Sequence, residues 1–408
     1  MWSSMAQAEQ INPKILSWAR ETAGLTIEEA AEKLGLKDSA RATAIEKLRA
    51  LEDGKRGLPR TMLEKAASIY RRPLVTFYLS QTPERGERGE DFRATKAASD
   101  RDNATLDALL RDVRARQQMV RVVLDDAEES ERRPFVASAR IEQGPKTVAV
   151  SIRSTLGVSE EQQKRSKDVG ALFALLRSAA ERIGIYVLLL GDVGSHHSDI
   201  GEDVFRGFAL ADDVAPFVVI NDNDAAVARS FTLMHELAHI WIGESGISGP
   251  LRDVPDNVIE RFCNDTASEF LLPSDAIPDY SALLRAPVNE VIAAIQTIGS
   301  AWKVSEPAVA YRFAQKGWIS RTIASQLFAI YVDRWRHQQQ REKENRQPDD
   351  TGPGYYTVGR FRLGAALLGV VRRALQDDTL THTRAAKILG VGPASVSKLL
   401  QEERLAGR

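Results

Sequence analysis

The stretch Phe231-Thr232-Leu233-Met234-His235-Glu236-Leu237-Ala238-His239-Ile240 decides how this chain is read. Its residues favour a helix, on which positions four apart lie one above the other. His235 and His239 therefore point the same way and can offer imidazole nitrogens to one divalent ion. Zinc takes two imidazoles plus a carboxylate, leaves its fourth position to water, and brings that water's pKa to about 7. Glu236, beside the first histidine, is placed to take the water's proton during attack on an amide carbonyl and pass it to the leaving nitrogen. The plain alternative is two unrelated histidines falling at i and i+4, a rare coincidence on a helix when the chain has only six.

Around this motif, Val227, Phe231, Met234, Ala238 and Trp241 or Ile242 make an apolar stripe. It predicts a helix anchored by one face, with His235, Glu236 and His239 turned toward a cleft. Asp222 or Asp224 is the expected cap, and Gly243 the expected stop. A third ligand is sought in Glu260-Arg261-Phe262-Cys263-Asn264-Asp265-Thr266-Ala267-Ser268-Glu269-Phe270-Leu271-Leu272-Pro273. A helix there puts Glu260 and Asn264 on one face, so Glu260 can bind the metal while Asn264 steadies a ligand histidine through its other ring nitrogen. Glu269 competes with Glu260 for the ligand role.

Farther out, 185–190, 205–210 and 217–220 are short strand-like runs broken by Gly, Asp, Ser and Pro. Helices are predicted over 168–182, 258–271, 288–300, 305–316 and 321–345. Residues 13–79 read as short helices. Asn12-Pro13 opens the first; Thr26 and Glu29 form a capping box for the second, which Gly35 ends; a third covers 42–51 and a fourth starts near Pro59. Leu106, Leu110, Val113, Val120 and Leu124 recur at helical period. Residues 82–90 and 347–354 read as linkers.

With 43% hydrophobic and 27% charged residues, the chain is a soluble globular protein rather than a disordered or membrane one. No apolar run approaches the ~18 residues that span a bilayer, and residues 1–10 lack the features of a secretory leader, so a cytoplasmic location without membrane contact is expected. The single cysteine, Cys263, rules out an internal disulfide and a multi-cysteine zinc site, and reads as a buried thiol. The overall charge of −1 hides a gradient: residues 1–80 carry +3, residues 319–408 carry +6, and the middle −10. Basic ends permit contact with nucleic acid without requiring it.

The histidine motif, preceded by Phe-Arg-Gly-Phe-Ala-Leu at 205–210 and Phe-Val-Val-Ile-Asn at 217–221, resembles the ImmA/IrrE family of bacterial metallopeptidases. In that family a Glu-x-x-Ala-Asn-x-Phe-Ala segment ending in Leu-Leu-Met-Pro follows, and its first glutamate completes the zinc site. Glu260 and Asn264 match those positions, while Cys263, Thr266 and Leu272 replace the alanine, phenylalanine and methionine. Ile11-Asn12-Pro13, Trp18-Ala19-Arg20, Ala23-Gly24-Leu25-Thr26, Glu52-Asp53-Gly54, Arg72-Pro73-Leu74 and Asp91-Phe92-Arg93 resemble the XRE-type helix-turn-helix domains often fused to these peptidases. The resemblance implies a regulatory protease that needs Zn2+ and cuts a repressor or antitoxin-like protein. The implied fold is mainly α with a small α+β core: a gluzincin-like domain with a short antiparallel sheet, flanked by helical helix-turn-helix-like domains. The expected order is an XRE-like domain at 1–83, a linker and helical segment at 84–144, the zinc metallopeptidase domain at 145–280, a helical extension at 281–346 and a C-terminal helix-turn-helix-like domain at 347–408.

Both ends invite a test for DNA contact. A helix-turn-helix needs a small residue, a glycine four positions on, and apolar residues six and nine beyond that. Ala31 and Gly35 begin the template, but Ile45 and Leu48 come about four residues late, so a platform for protein contact is an equal reading. At the other end Ala386, Gly390, Val396 and Leu399 fit without insertion, which places Ser395, Ser397 and Lys398 to face phosphates or bases. A helical pair that only packs on its neighbours is the equal alternative there. Arg334, Arg336, Arg341, Lys343 and Arg346 read as a solvated helix face, and His196-His197 as a solvent loop. No spacing places Tyr311 or Arg312, whose groups would suit an oxyanion, at the cleft. Ligand type narrows the metal without choosing among zinc, manganese and iron.

Overall fold

The computed structural model describes residues 11–83, 90–91, 99–194, 199–248, 257–344 and 354–401. His196, His197, Arg346 and most of both expected linkers lie outside that set. The chain divides into two units, 1–88 with 97–111, and 89–96 with 112–408. In the first, α1 (Pro13–Glu21), α2 (Ile27–Leu34), α3 (Ala44–Glu52) and α4 (Arg60–Ile69) enclose a core of Ile15, Leu16, Ala30, Leu34, Leu48, Leu63 and Phe77. The caps are those the sequence predicts: Asn12 accepts from the Lys14 amide, and Thr26 with Glu29 closes a reciprocal box. A second box, Thr43 with Glu46, starts α3 two residues later than expected. Residues 35–43 separate α2 from α3, a longer connection than the three- or four-residue turn of a tight helix-turn-helix.

The second unit holds the sheet: β1 (Glu90–Asp91), β2 (Tyr186–Leu189), β3 (Gly207–Leu210), β4 (Phe217–Ile220) and β5 (Gly246–Ser248), in the order β1-β5-β3-β4-β2. It is small, as expected, and mixed rather than purely antiparallel. β3 runs antiparallel to β4 and β5, while β2 joins β4, and β1 joins β5, in parallel. The parallel β2–β4 pair follows from the connection: β3 is reached by an excursion from β2 and then hairpins into β4, which fills the place beside β2. β2, β3 and β4 are buried at every position, so they read as continuous apolar runs.

Helices surround this sheet. α5 (Asp100–Asp126), whose first turns group with the first unit, reaches the β3–β4 turn, where Gln117 donates to the Leu210 and Ala215 carbonyls. α6 (Pro145–Leu156), α7 (Glu160–Arg165) and α8 (Val169–Arg182) precede β2; α9 (Arg229–Ile242) follows β4 and packs on β3 and β4. Then come α10 (Val258–Leu271), α11 (Val288–Trp302), α12 (Glu306–Gln315) and α13 (Arg321–Glu344), within two residues of their predicted bounds.

α14 (Tyr355–Gln376), a helix the sequence did not reveal, is broken at Gly364, whose φ of 77° and ψ of 160° no helix contains. The break lies against edge strand β2. Arg177 donates to the Val187, Phe361 and Arg362 carbonyls, and Glu181 accepts from the Ala365 amide, so the groups freed by the break are satisfied and the sheet edge is covered. α15 (His382–Leu389) and α16 (Val396–Leu400) follow, with Ala386, Val396 and Leu399 buried at the template positions. No helix among the described residues is long and apolar enough to cross a membrane.

Candidate metal centre

α9 is the element on which the site is built. Neither Asp222 nor Asp224 caps it: a 3-10 turn at Ala226–Ala228 leads in, Asp224 binds the Ala225 amide, and Asp222 pairs with Arg362. The helix stops at Gly243 as predicted, and its last carbonyls, Ile240 and Trp241, accept from the Ala137 and Ala139 amides. The expected single apolar stripe gives way to a helix buried from Ser230 to Trp241 on all sides, because the sheet, α6, α8 and α10 enclose it. Val227 stands outside the helix and is exposed.

This enclosure buries the chemistry. His235 is 3% exposed, Glu236 and His239 0%, and Glu260 4%, where the sequence led us to expect an open cleft. The two Nε2 atoms of His235 and His239 are 3.1 Å apart. Glu260, on the first turn of α10, places Oε1 3.1 Å from His239 Nε2 and Oε2 3.5 Å from His235 Nε2. Asn264, one turn further along α10, has Oδ1 2.8 Å from His235 Nδ1. That acceptor puts a proton on Nδ1 and aims Nε2 at the cluster. Glu269 lies elsewhere: its carboxylate is held by Arg312 and by Ser274 at the end of α10.

Two residues of the site were not singled out in the sequence, although Gly207 lies within the 205–210 run quoted above. Ser248, on β5, has Oγ 3.0 Å from His235 Nε2. Gly207, its cross-strand partner on β3, lies against Glu236, where a Cβ would come 2.7 Å from Oε1. A lone Ser and a lone Gly in strands carry no spacing rule; only the register of β3 with β5 brings them to α9.

The residues present fit a divalent ion. Ligand atoms at about 2.1 Å from a tetrahedral zinc lie about 3.4 Å from one another, close to the 3.1–3.5 Å separations here. All three ligand atoms fall within 4.8 Å of one another. Both Glu236 carboxylate oxygens are buried without a hydrogen-bond partner, near enough to His235 and Glu260 for the charges of those residues to act on them. The electrostatics agree. Burial would raise the Glu260 carboxyl, but the two histidines hold it down to about 2. Burial would lower His235, yet Glu260 and Glu236 lift it to about 9. Burial pushes Glu236 up to about 8 and His239 down. The Glu260 and His235 shifts are each other's cause, a mutual attraction between carboxylate and imidazolium that a divalent ion between them would replace.

Other candidates fall elsewhere. Tyr311 donates to Asp265, and Arg312 is spent on Glu269 and Ser274, so neither is positioned as an oxyanion donor. Cys263 is buried and free, and burial raises its thiol well above the usual range. Ser397 and Lys398 are exposed on α16, Ser395 is half-buried, and Arg360 and Arg372 bind the α16 carbonyls.

No curated protein and no solved structure matches the chain. Residues 180–314, from the end of α8 to α12, match the family model described as the IrrE N-terminal-like domain, Peptidase_M78. That stretch of the chain is therefore similar to the IrrE N-terminal-like domain, and it contains His235, His239 and Glu260, the candidate metal site.

Proposed function

We propose that this chain is a zinc-dependent endopeptidase that cleaves a regulatory protein, of repressor or antitoxin-like kind, and thereby controls gene expression. His235, His239 and Glu260 hold the ion, and Asn264 fixes the tautomer and orientation of His235. Bound zinc supplies the Lewis acidity that brings a water's pKa to about 7. With a divalent charge beside it opposing the rise that burial causes, Glu236 would be ionised, would accept a proton at the carboxylate that has no hydrogen-bond partner, and would deliver it to the leaving nitrogen. This partnerless carboxylate carries the reading: a structural metal site has no use for a buried base beside its ligands.

The test is co-expression with the repressor encoded beside the gene. A fragment that forms with the wild type and not with Glu236→Gln, while the variant keeps its metal and fold, supports peptidase action. A second reading, a DNA-binding regulator with a structural metal, draws on the exposed Ser397 and Lys398 and the basic C-terminal part. It predicts that Glu236→Gln leaves regulation intact and that Lys398→Ala abolishes DNA retardation.

A further inference from the structure

A cleft of about 590 Å3 lies beside α9, walled by Val227, Phe231, Val304, Phe328 and Tyr331. None of His235, Glu236, His239 and Glu260 lines it; its link to the metal site runs through their chain neighbours. Phe231 precedes His235 by one helical turn and so shares its face. Arg206, on another wall, precedes Gly207, which lies against Glu236. The opposite wall comes from α11, α12 and α13.

The wall chemistry selects the occupant. Arg206 pairs with Asp224 at 3.4 Å and Arg334 with Glu306 at 3.1 Å, and Glu202, the fifth charged wall residue, is engaged as well. Each of the two arginines therefore has a carboxylate close by to balance its charge, and Val169, Val227, Phe231, Val304, Phe328 and Tyr331 offer an entering group aliphatic and aromatic carbon. Val227, 44% exposed, is an apolar side chain at this wall that gains by being covered. The volume is within the roughly 300–1,000 Å3 of ligand pockets and exceeds what a single side chain fills.

We propose that this cleft seats an uncharged, apolar stretch of the substrate polypeptide next to the bond that is cut, with Phe231 and Val227 as specificity-determining contacts. The proposal rests on the peptidase reading, and its test is separable from it. Full-length Glu236→Gln protein loaded with zinc is titrated with fluorescein-labelled nonapeptides of Gly and Ser. Their three central residues are Leu-Phe-Leu, Ala-Ala-Ala or Asp-Ser-Asp. The Leu-Phe-Leu peptide should bind at least tenfold more tightly than the other two. Val227→Trp, which fills the cleft from a solvent-exposed position, should erase the preference, and Ser300→Trp from α11 should do the same if the first variant folds poorly. Val150→Trp, exposed on α6, should keep it. Equal binding of the three peptides, or a preference that survives both filling variants, overturns the proposal. Because binding is read in a protein that does not cut, absence of cleavage by the wild type counts against the peptidase reading alone.

Discussion

Replacing Gly207 by alanine puts one methyl group where α9 and β3 meet. The added carbon would stand 2.7 Å from Glu236 Oε1, 2.9 Å from Thr232 Cγ2 and 3.1 Å from Glu236 Cδ. Comfortable carbon contacts are about 3.5–4.0 Å, so the shortfall approaches 1 Å. α9 cannot retreat, because α6, α8 and α10 pack behind it. Glu236 must turn aside or the strand must shift, and overpacking of this kind costs about 1–3 kcal/mol. If that cost falls on the placement of the base, kcat/KM drops about 5- to 150-fold. The three atoms nearest the new methyl group belong to Glu236 and Thr232 and not to a metal ligand, so zinc content should stay at the wild-type level. Rates of fragment formation, zinc content and the thermal midpoint, measured together, separate the effects. A Gly207→Ala protein with the wild-type rate and the wild-type midpoint would refute the reasoning.

Other substitutions probe the supports of the site. Asn264→Ala should weaken zinc binding about 10- to 100-fold in chelator competition, while Asn264→Asp, which still accepts from His235 Nδ1, should lose much less; equal losses would contradict the orienting role. Gly364→Ala forces a Cβ into a positive-φ position, 2.7 Å from Arg177 Nη2 and 3.0 Å from the Val187 carbonyl, and should lower stability by more than about 1 kcal/mol in urea unfolding. Burial would raise the Glu269 carboxyl, but Ser274 and Arg312 hold it below its ordinary value. A depressed carboxyl contributes stability above its unfolded pKa of about 4.5 and loses it as pH falls through the lower folded value. Glu269→Gln should therefore be less stable than wild type at pH 7, with the difference shrinking as pH falls below about 4.5; a constant difference would contradict the assignment.

The parts of this molecule that local rules govern were legible in the sequence. Thr26 with Glu29, Asn12 before Pro13, and Gly243 after Ile242 terminate helices where the rules place them. His235, Glu236 and His239 were visible because a helix converts a four-residue spacing into a shared face. Glu260 and Asn264 were equally visible by their own i, i+4 spacing; the resemblance favoured Glu260 over Glu269, and the packing of α10 on α9 places Glu260 at the histidines and Glu269 at Arg312. What depends on long-range register stayed hidden. β5 is three residues long and β1 two, too short for an alternating pattern, so Ser248 could not be foreseen. The burial of α9 on all sides was concealed too, since its polar face consists of the site residues themselves. α14 and its break escaped together, because Gly364 takes its non-helical conformation only where β2 and Arg177 surround it.

The central claim is that His235, His239 and Glu260 converge on one ion, and zinc content measured by mass spectrometry on the purified, zinc-equilibrated protein addresses it directly. One zinc per wild-type chain is expected, with full retention in Glu236→Gln and in Glu269→Gln, and loss in Glu260→Ala. Full zinc content in Glu260→Ala, or its loss in Glu269→Gln, would contradict it.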